Sequence, residues 1–322
     1  MRARYAALAT GLALLPAACR RSLSPLESPP PGRLVDVGGR KLHLYCDGAG
    51  TPAVILLAGG GAYSIDWALV QPHLPANTRV CSYDRAGLGW SDPGPSDETV
   101  EQTVSDLHTL LHNAGEKGPY VLVGTSVAGI FIQAYQRAYA GEVAALVFSN
   151  SSNRIGRLVN GKAKLIWDMT EAEIRSTFPL PASAKGPAPA REDDPFDRLP
   201  LGLRRTRLWL DQKFWQTSDP AHASPDSTLS WRKEFLAEFD ATGASEKPPL
   251  AALPVFVLSS GPAASESEKH SRAGAAARLD FLSSHTLHVT AAGSGHEIHL
   301  YQPDLVVQTI LRAVSTARSP HS

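Results

Sequence analysis

A serine and a histidine occur in this sequence in small-residue surroundings that expose a side chain. Ser126 lies at the tip of Gly124-Thr125-Ser126-Val127-Ala128-Gly129, after an apolar β-branched run at 121–123 and before a helical pattern. Strand, sharp turn and helix are the typical context of a nucleophile elbow. His296 is the only one of the eleven histidines in a glycine-flanked loop after the last predicted strand. A serine hydroxyl needs a base to take its proton, so we predict Ser126 as nucleophile and His296 as base.

Acyl transfer by a serine also needs hydrogen-bond donors for the oxyanion that forms on the substrate. The backbone N–H of Val127, directly after the nucleophile, is one expected donor. The second is expected from the three glycines at 59–61, which follow a buried apolar run at 53–57. Glycine allows a tight turn and close approach of the backbone to a ligand. We therefore predict Val127 and Gly60 as the oxyanion hole.

The elements around these residues alternate between strand and helix, with one interruption. Apolar runs at 53–57, 120–123, 143–148 and 254–258 are typical of buried parallel strands, and we predict a further strand at 79–83. Residues 151 to about 250 contain prolines, four of the six tryptophans and helical periods, so we predict a mostly helical insertion there. The pattern predicts an α/β fold with a mostly parallel sheet, divided into core residues 33–150, an insertion at 151–250 and core residues 251–318.

Five features in this order resemble the α/β-hydrolase superfamily, from about residue 33 to the C-terminus. They are Leu57-Ala58-Gly59-Gly60, the loop from Asp84 to Ser91, the elbow at 124–129, the helical insertion and Gly295-His296. The resemblance implies a twisted, mostly parallel sheet flanked by helices, and a cap over an apolar acyl or alcohol pocket. It also implies that Asp84 and Arg85 shape the core loop and are not catalytic.

The same resemblance implies an acid behind His296, and here the chain departs from the family. At one of the two usual places it has Asn150, and at the other no acid stands where expected. Glu266 and Glu268 are the nearest carboxylates, and we favour Glu266, with Glu268 and Asn150 as alternatives. Asparagine can orient an imidazole, but it cannot stabilise an imidazolium as a carboxylate does, a loss of ~10⁴ in the best-studied serine-protease triad.

The leading hypothesis is a serine hydrolase that cleaves small apolar carboxylic esters or related acyl compounds without a cofactor. The missing acid motivates the alternative of a hydrolase-fold protein that binds an apolar ligand with weak or no catalysis. A haloperoxidase-like or carbon–carbon hydrolase activity also stays open. Dehalogenase and epoxide hydrolase chemistry is disfavoured, because those relatives use an aspartate at the elbow.

The charge balance argues against nucleic acid as a partner. The 322 residues include 31 Lys and Arg and 31 Asp and Glu, giving a net charge of zero, and no basic stripe is visible. His108 and His112 have a spacing that could bind metal, but no third ligand is nearby, so we predict no metal site.

The N-terminus is typical of an export signal. Arg2 and Arg4 precede a short apolar stretch at 5–15, too short to span a membrane. Residues 1–18 then form a signal peptide, and 19–32, rich in proline and serine, a disordered tether. Cys19 is a candidate for lipidation, with simple secretory cleavage as the competing hypothesis. We expect a periplasmic, lipid-anchored or secreted protein that contacts a membrane only through this lipid.

Export would place the remaining cysteines in an oxidising compartment. Cys46 and Cys81 each follow an apolar strand pattern. A disulfide between them is geometrically feasible if their strands are neighbours. Two buried free thiols are an equally good interpretation of the sequence.

Overall fold

The protein is built around one eight-stranded sheet. The computed structural model describes residues 24–94, 99–151, 156–159, 162–165, 169–177, 194–217, 229–230, 232–233, 250–261 and 282–319. The strands are β1 (Arg33–Asp36), β2 (Lys41–Asp47), β3 (Ala53–Leu57), β4 (Val80–Tyr83), β5 (Tyr120–Thr125), β6 (Val143–Ser149), β7 (Gly156–Val159), β8 (Lys162–Leu165), β9 (Val255–Ser260) and β10 (Thr286–Ala291).

The sheet has the order β1-β2-β4-β3-β5-β6-β9-β10, and β7 pairs separately with β8. The six strands from β4 to β10 in this order are parallel, whereas β1 and β2 pair antiparallel with each other and β2 with β4. All carboxyl ends of the parallel strands therefore meet at one edge of the sheet, where α/β proteins place their sites.

Several α-helices accompany the strands in the described part of the chain. They are α1 (Val100–Ala114), α2 (Ala128–Ala138), α3 (Glu171–Thr177), α4 (Leu201–Thr217), α5 (Ile298–Tyr301) and α6 (Pro303–Arg318). None of the helices in the described residues has the length and apolar character required to cross a bilayer.

The core lies on both faces of the sheet, as a parallel sheet requires. Strand β3 shows this clearly, because Ile55 and Leu57 belong to one buried cluster and Val54 and Leu56 to the other. Helices α1 and α2 contribute to the first cluster, and α6 packs into the second. The predicted α/β-hydrolase fold is confirmed.

Two segments differ from the expectations drawn from the sequence. The insertion at 151–250 includes the antiparallel pair β7–β8 besides α3 and α4. Residues 24–32, expected to be a disordered tether, instead make hydrogen bonds with the folded chain. The Leu26 N–H donates to the Arg205 carbonyl of α4 at 3.0 Å. The Trp90 indole N–H donates to the Ser28 carbonyl at 3.0 Å. The segment is held because its backbone groups find partners on both the core and α4.

Cys46 and Cys81 form a disulfide between neighbouring strands. They are directly paired residues of β2 and β4, which run antiparallel. The bond closes a loop with a sequence separation of 35 residues and fixes the antiparallel edge of the sheet to its parallel part.

Candidate active site

Ser126 occupies a sharp turn between β5 and α2. Its φ is 54°, in the left-handed region that residues with a side chain rarely adopt. Small neighbours make the turn feasible, since a Cβ at Gly124 would lie 2.8 Å from the Ala128 backbone. The Ser126 side chain is half-buried at the carboxyl edge of the sheet. Val127 follows at the N-terminus of α2, where backbone N–H groups have no partner within the helix.

The glycine turn after β3 lies against this elbow. A Cβ at Gly59 would be 3.1 Å from Ser126 Cβ, and one at Gly60 would be 3.7 Å from Val127 Cγ1. The buried Arg85 guanidinium donates to the carbonyl oxygens of Ala58 at 2.5 Å and Gly59 at 3.0 Å. In a trans peptide the carbonyl and the next N–H point in opposite directions. The N–H groups of Gly59 and Gly60 therefore face away from Arg85.

Asp84 fixes the neighbouring loops. Its carboxylate accepts from the backbone N–H of Ser64 at 2.6 Å and of Trp90 at 3.1 Å. It also lies 2.9 Å from His43 Nδ1, and both side chains are fully buried. Asp84 and Arg85 thus hold the segments around the glycine turn through backbone contacts.

His296 lies in the turn between β10 and α5 and is exposed. Its Nδ1 is 2.8 Å from Asn150 Nδ2, and the same Nδ2 donates to the His296 backbone carbonyl at 3.0 Å. The Ser260 hydroxyl donates to Asn150 Oδ1 at 3.2 Å. Asn150 is buried and has a φ of 49°, directly after β6. Of the three residues considered as partners of the imidazole, the structure brings Asn150 into contact with it.

The strand order brings Ser126 and His296 to the same edge of the sheet. The Ser126 N–H donates to the Ser149 carbonyl at 3.3 Å, and the Asn150 N–H donates to the Leu258 carbonyl at 2.7 Å. These bonds tie together the ends of β5, β6 and β9, next to β10 and the histidine loop. Among the hydrogen bonds of the described residues, none joins the Ser126 hydroxyl to the imidazole, a contact that often tightens only when substrate binds.

A buried charged network connects the insertion with the segment after the glycine turn, and no motif in the sequence predicts it. Arg207 of α4 donates to Asp66 through Nε at 2.8 Å and to Asp211 at 2.7 Å. The Tyr63 hydroxyl donates to Asp211 at 2.9 Å, and Asp66 accepts from the Tyr63 N–H at 3.1 Å. The Arg207 and Asp66 side chains are each only 2% exposed. The one-letter sequence contains no signal for this pairing, because 141 residues separate its partners.

Burial and charge shift the pKa values of this network in ways that preserve its hydrogen bonds. Burial lowers the pKa of Arg207, but the carboxylates of Asp66 and Asp211 outweigh it and raise that pKa. Burial, and next the charge of Asp211, raise the pKa of Tyr63, so its hydroxyl remains a donor. Burial lowers the pKa of His299 to about 4 and keeps this imidazole neutral. His299 packs against Trp67 with ring centroids 4.8 Å apart and the ring planes tilted by 36°.

Several predicted residues lie outside the described part of the chain. These are Glu266 and Glu268, the favoured acid and one alternative, and Cys19, the candidate for lipidation. Their predicted roles stay predictions. His108 and His112, considered as metal ligands, contact protein groups: His108 Nε2 is 3.2 Å from Glu142, and His112 Nδ1 is 3.1 Å from Asn113.

The sequence model of the Alpha/beta hydrolase family matches residues 54–309, more than three quarters of the chain. The chain belongs to the Alpha/beta hydrolase family. The match includes the glycine turn, the elbow, Asn150 and His296.

Comparison with individual members of the Alpha/beta hydrolase family and other relatives gives partial matches. A 2-hydroxymuconate semialdehyde hydrolase from a Pseudomonas species is 30% identical over 132 residues, which are 40% of this chain and 46% of that protein. A probable transporter from Hormonema carpetanum is 34% identical over 112 residues, 33% of this chain and 16% of that protein. The chain spans only 16–36% of the length of the first curated relatives it matches.

The solved structure of a thermophilic esterase from Thermogutta terrifontis superposes with a TM-score of 0.61. It is 21% identical and covers 87% of this chain and 95% of the esterase. At this identity the superposition establishes a shared fold.

Proposed function

We propose that the protein is a serine hydrolase that cleaves carboxylic esters or related acyl compounds through an acyl-enzyme on Ser126. The observation that carries the proposal is the strained elbow: Ser126 has a φ of 54° and lies against a glycine turn whose carbonyls Arg85 holds. Backbone strain of this kind persists where the surrounding structure enforces it, and it is concentrated at functional sites. Membership of the Alpha/beta hydrolase family supports the same chemistry.

The reaction uses the side chains of Ser126 and His296 and two backbone N–H groups. Ser126 Oγ attacks the acyl carbon while its proton passes to His296 Nε2. The negative charge on the substrate oxygen is stabilised by the N–H groups of Gly60 and Val127, since donors fixed before the reaction require no reorganisation. His296 then gives the proton to the departing alcohol. In the second half-reaction water attacks the acyl carbon while His296 takes a proton from it, and His296 returns that proton to Ser126 Oγ as the acid leaves. No cofactor takes part in this sequence.

A panel of p-nitrophenyl esters of increasing acyl length tests this proposal. We expect turnover of at least one ester and its loss in Ser126→Ala. Ser319→Ala, at an exposed serine beyond α6, is the matched control and should keep full activity. Absence of turnover with every acyl length in the folded protein would contradict the ester specificity.

A second candidate is a hydrolase-fold protein that binds an apolar acyl compound with little turnover. The contact of Asn150 with His296 favours it, because an amide cannot stabilise an imidazolium as a carboxylate can. Calorimetry with the same esters separates the two candidates. Saturable binding of an ester without release of p-nitrophenol supports the binding protein and counts against the enzyme.

We further propose that the chain is exported and that Cys19 or the residue after a secretory cleavage becomes its N-terminus. The charged and apolar residues at 2–15 support this proposal. Mass spectrometry of the protein purified from a bacterial host is expected to show a diacylglyceryl Cys19 or a simple cleavage. An intact Met1 on the protein recovered from the membrane and periplasmic fractions would contradict this proposal.

A further inference from the structure

The side-chain amide of Asn150 faces Nδ1 of the His296 ring. Asn150 Nδ2 lies 2.8 Å from His296 Nδ1 and 3.0 Å from the His296 backbone oxygen. Both distances are those of hydrogen bonds. One amide group therefore contacts the ring and the main chain of the same histidine, and its orientation decides which nitrogen of the ring holds the proton.

The backbone carbonyl of His296 fixes that orientation, because a carbonyl oxygen can only accept. With Nδ2 facing it, the amide donates one hydrogen at 3.0 Å. The flipped amide would place Oδ1 there, and two acceptors would meet at hydrogen-bond distance. Ser260 does not oppose this choice, because its hydroxyl can donate to Oδ1 at 3.2 Å and could equally accept from an amide nitrogen.

The second hydrogen of Nδ2 is then directed at His296 Nδ1, which must offer a lone pair to accept it. A neutral imidazole with a lone pair on Nδ1 has its proton on Nε2. We infer that Asn150 holds neutral His296 in the tautomer protonated at Nε2, so that the imidazole faces Ser126 as a donor. Asn150 is thus a positioning residue that restrains the nucleophile, an inference that rests on the proposed role of Ser126.

The restraint has a chemical consequence for each turnover. Ser126 can transfer its proton only to an Nε2 that has a lone pair, which requires the proton to be on Nδ1. An Nδ1–H would point at the Nδ2 donor of Asn150 and lose that bond, so the reactive tautomer is a minor population. An aspartate at this position would accept from Nδ1–H and make the reactive tautomer the major one.

The tautomer can be measured without any activity assay. Long-range ¹H–¹⁵N correlation of histidine-labelled protein separates protonated from unprotonated ring nitrogens, and His296→Gln identifies the signals of His296. At a pH where these signals show a neutral ring, we expect an unprotonated Nδ1 and a protonated Nε2. A protonated Nδ1 in the wild-type protein would overturn the inference.

Asn150→Asp tests the kinetic consequence. We expect the rate at which a fluorophosphonate modifies Ser126 to rise by about 10²- to 10⁴-fold, given the ~10⁴ effect of the opposite exchange in a serine-protease triad. Asn150→Leu has a similar size but no hydrogen-bonding group, and it should give no such gain. A purely structural Asn150 predicts a loss in both variants, so where wild-type Ser126 reacts, an unchanged or lower rate in folded Asn150→Asp would overturn the restraint.

The two measurements also separate this inference from the proposed function. If neither the wild type nor Asn150→Asp reacts at Ser126 while the spectrum shows protonated Nε2, the serine hydrolase is contradicted and the tautomer stands. If Ser126 reacts at the same rate in both and Nδ1 is protonated, the hydrolase stands and the role of Asn150 is contradicted.

Discussion

Removing the Arg207 side chain should destabilise the protein severely, because it leaves a carboxylate buried without its partner. Arg207→Met keeps the apolar stem of the side chain and deletes the guanidinium. Asp66, 2% exposed, loses both of its contacts with Arg207, and Asp211 loses a contact at 2.7 Å. Asp66 retains the Tyr63 N–H at 3.1 Å, which does not neutralise its charge. Breaking a buried pair in this way costs about 3–5 kcal/mol.

An exposed pair on another helix of the insertion provides the control. Arg175 and Glu171 have the same i,i+4 spacing as Arg207 and Asp211, but their side chains are 48% and 64% exposed. Solvent screens such a pair, so Arg175→Met should lower the free energy of unfolding by no more than about 0.5 kcal/mol. The two variants then compare a buried arginine that pairs with two carboxylates with an exposed arginine that pairs with one.

Urea unfolding with the disulfide intact measures both effects as shifts of the midpoint. The double variant Asp66→Asn with Arg207→Met should recover more than about 1 kcal/mol of the loss, because the uncompensated charge is gone. A loss below about 1 kcal/mol in Arg207→Met, or no recovery in the double variant, would refute the claim that this network joins the insertion to the core.

Three further predictions concern the elbow, a buried histidine and the disulfide. Gly124→Ala should lower esterase activity at least about tenfold and the free energy of unfolding by about 1–3 kcal/mol, because the new Cβ would lie 2.8 Å from the Ala128 backbone. Gly141→Ala, where a Cβ meets open space, should change neither quantity, and equal effects of the two variants would contradict the elbow geometry. Burial lowers the pKa of His299 to about 4, so its contribution to stability should be complete above pH 6.5 and should fall by about 3 kcal/mol as the pH decreases towards 4. His299→Gln should therefore reduce the pH dependence of the free energy of unfolding in urea, and an unchanged pH dependence would contradict the lowered pKa. Reducing the Cys46–Cys81 disulfide with dithiothreitol should lower the free energy of unfolding by about 3–4 kcal/mol for a loop of this length, measured by thermal or urea unfolding. Dithiothreitol should not change the stability of the double alanine variant, and an unchanged stability of the wild type would contradict the disulfide.

The central part of the fold could be predicted from local patterns in the sequence. Continuous apolar runs mark buried parallel strands because both faces of such a strand are covered, and β3, β5 and β9 follow that rule. Small residues at 124 and 128 likewise indicate the sharp turn at Ser126, because they let the strand and the helix pass close together. These features depend on neighbours in the sequence, which is why the sequence contains them.

The antiparallel pair β7–β8 differs from the predicted helical insertion, although the sequence between the two strands contains a hairpin signal. Asn160-Gly161 lies between Val159 and Lys162, which are paired residues of the two strands. Asn-Gly is the pair that most favours a two-residue hairpin connection. Each flanking strand is only four residues long, and Arg157, Lys162 and Lys164 interrupt its apolar residues, so no continuous apolar run marks the pair.

Long-range partners could not be predicted, because the register of distant elements decides them. The contact of Asn150 with His296 depends on β6, β9 and β10 being neighbours, and 146 residues separate the two. The segment at 24–32 shows the same limit: its prolines and serines predict a tether, but Trp90 and Arg205 donate hydrogen bonds to its backbone. The composition of a segment indicates its intrinsic tendency to be disordered, but it does not identify the residues that the segment contacts in the fold.

The role of Ser126 as nucleophile is tested most directly by a fluorophosphonate probe, followed by intact-mass measurement and peptide mapping. We predict one adduct per molecule, on Ser126, formed slowly in the wild type, faster in Asn150→Asp and absent in Ser126→Ala. Folded wild type and folded Asn150→Asp that both remain unmodified at Ser126, under conditions where a known serine esterase reacts completely, would contradict the account.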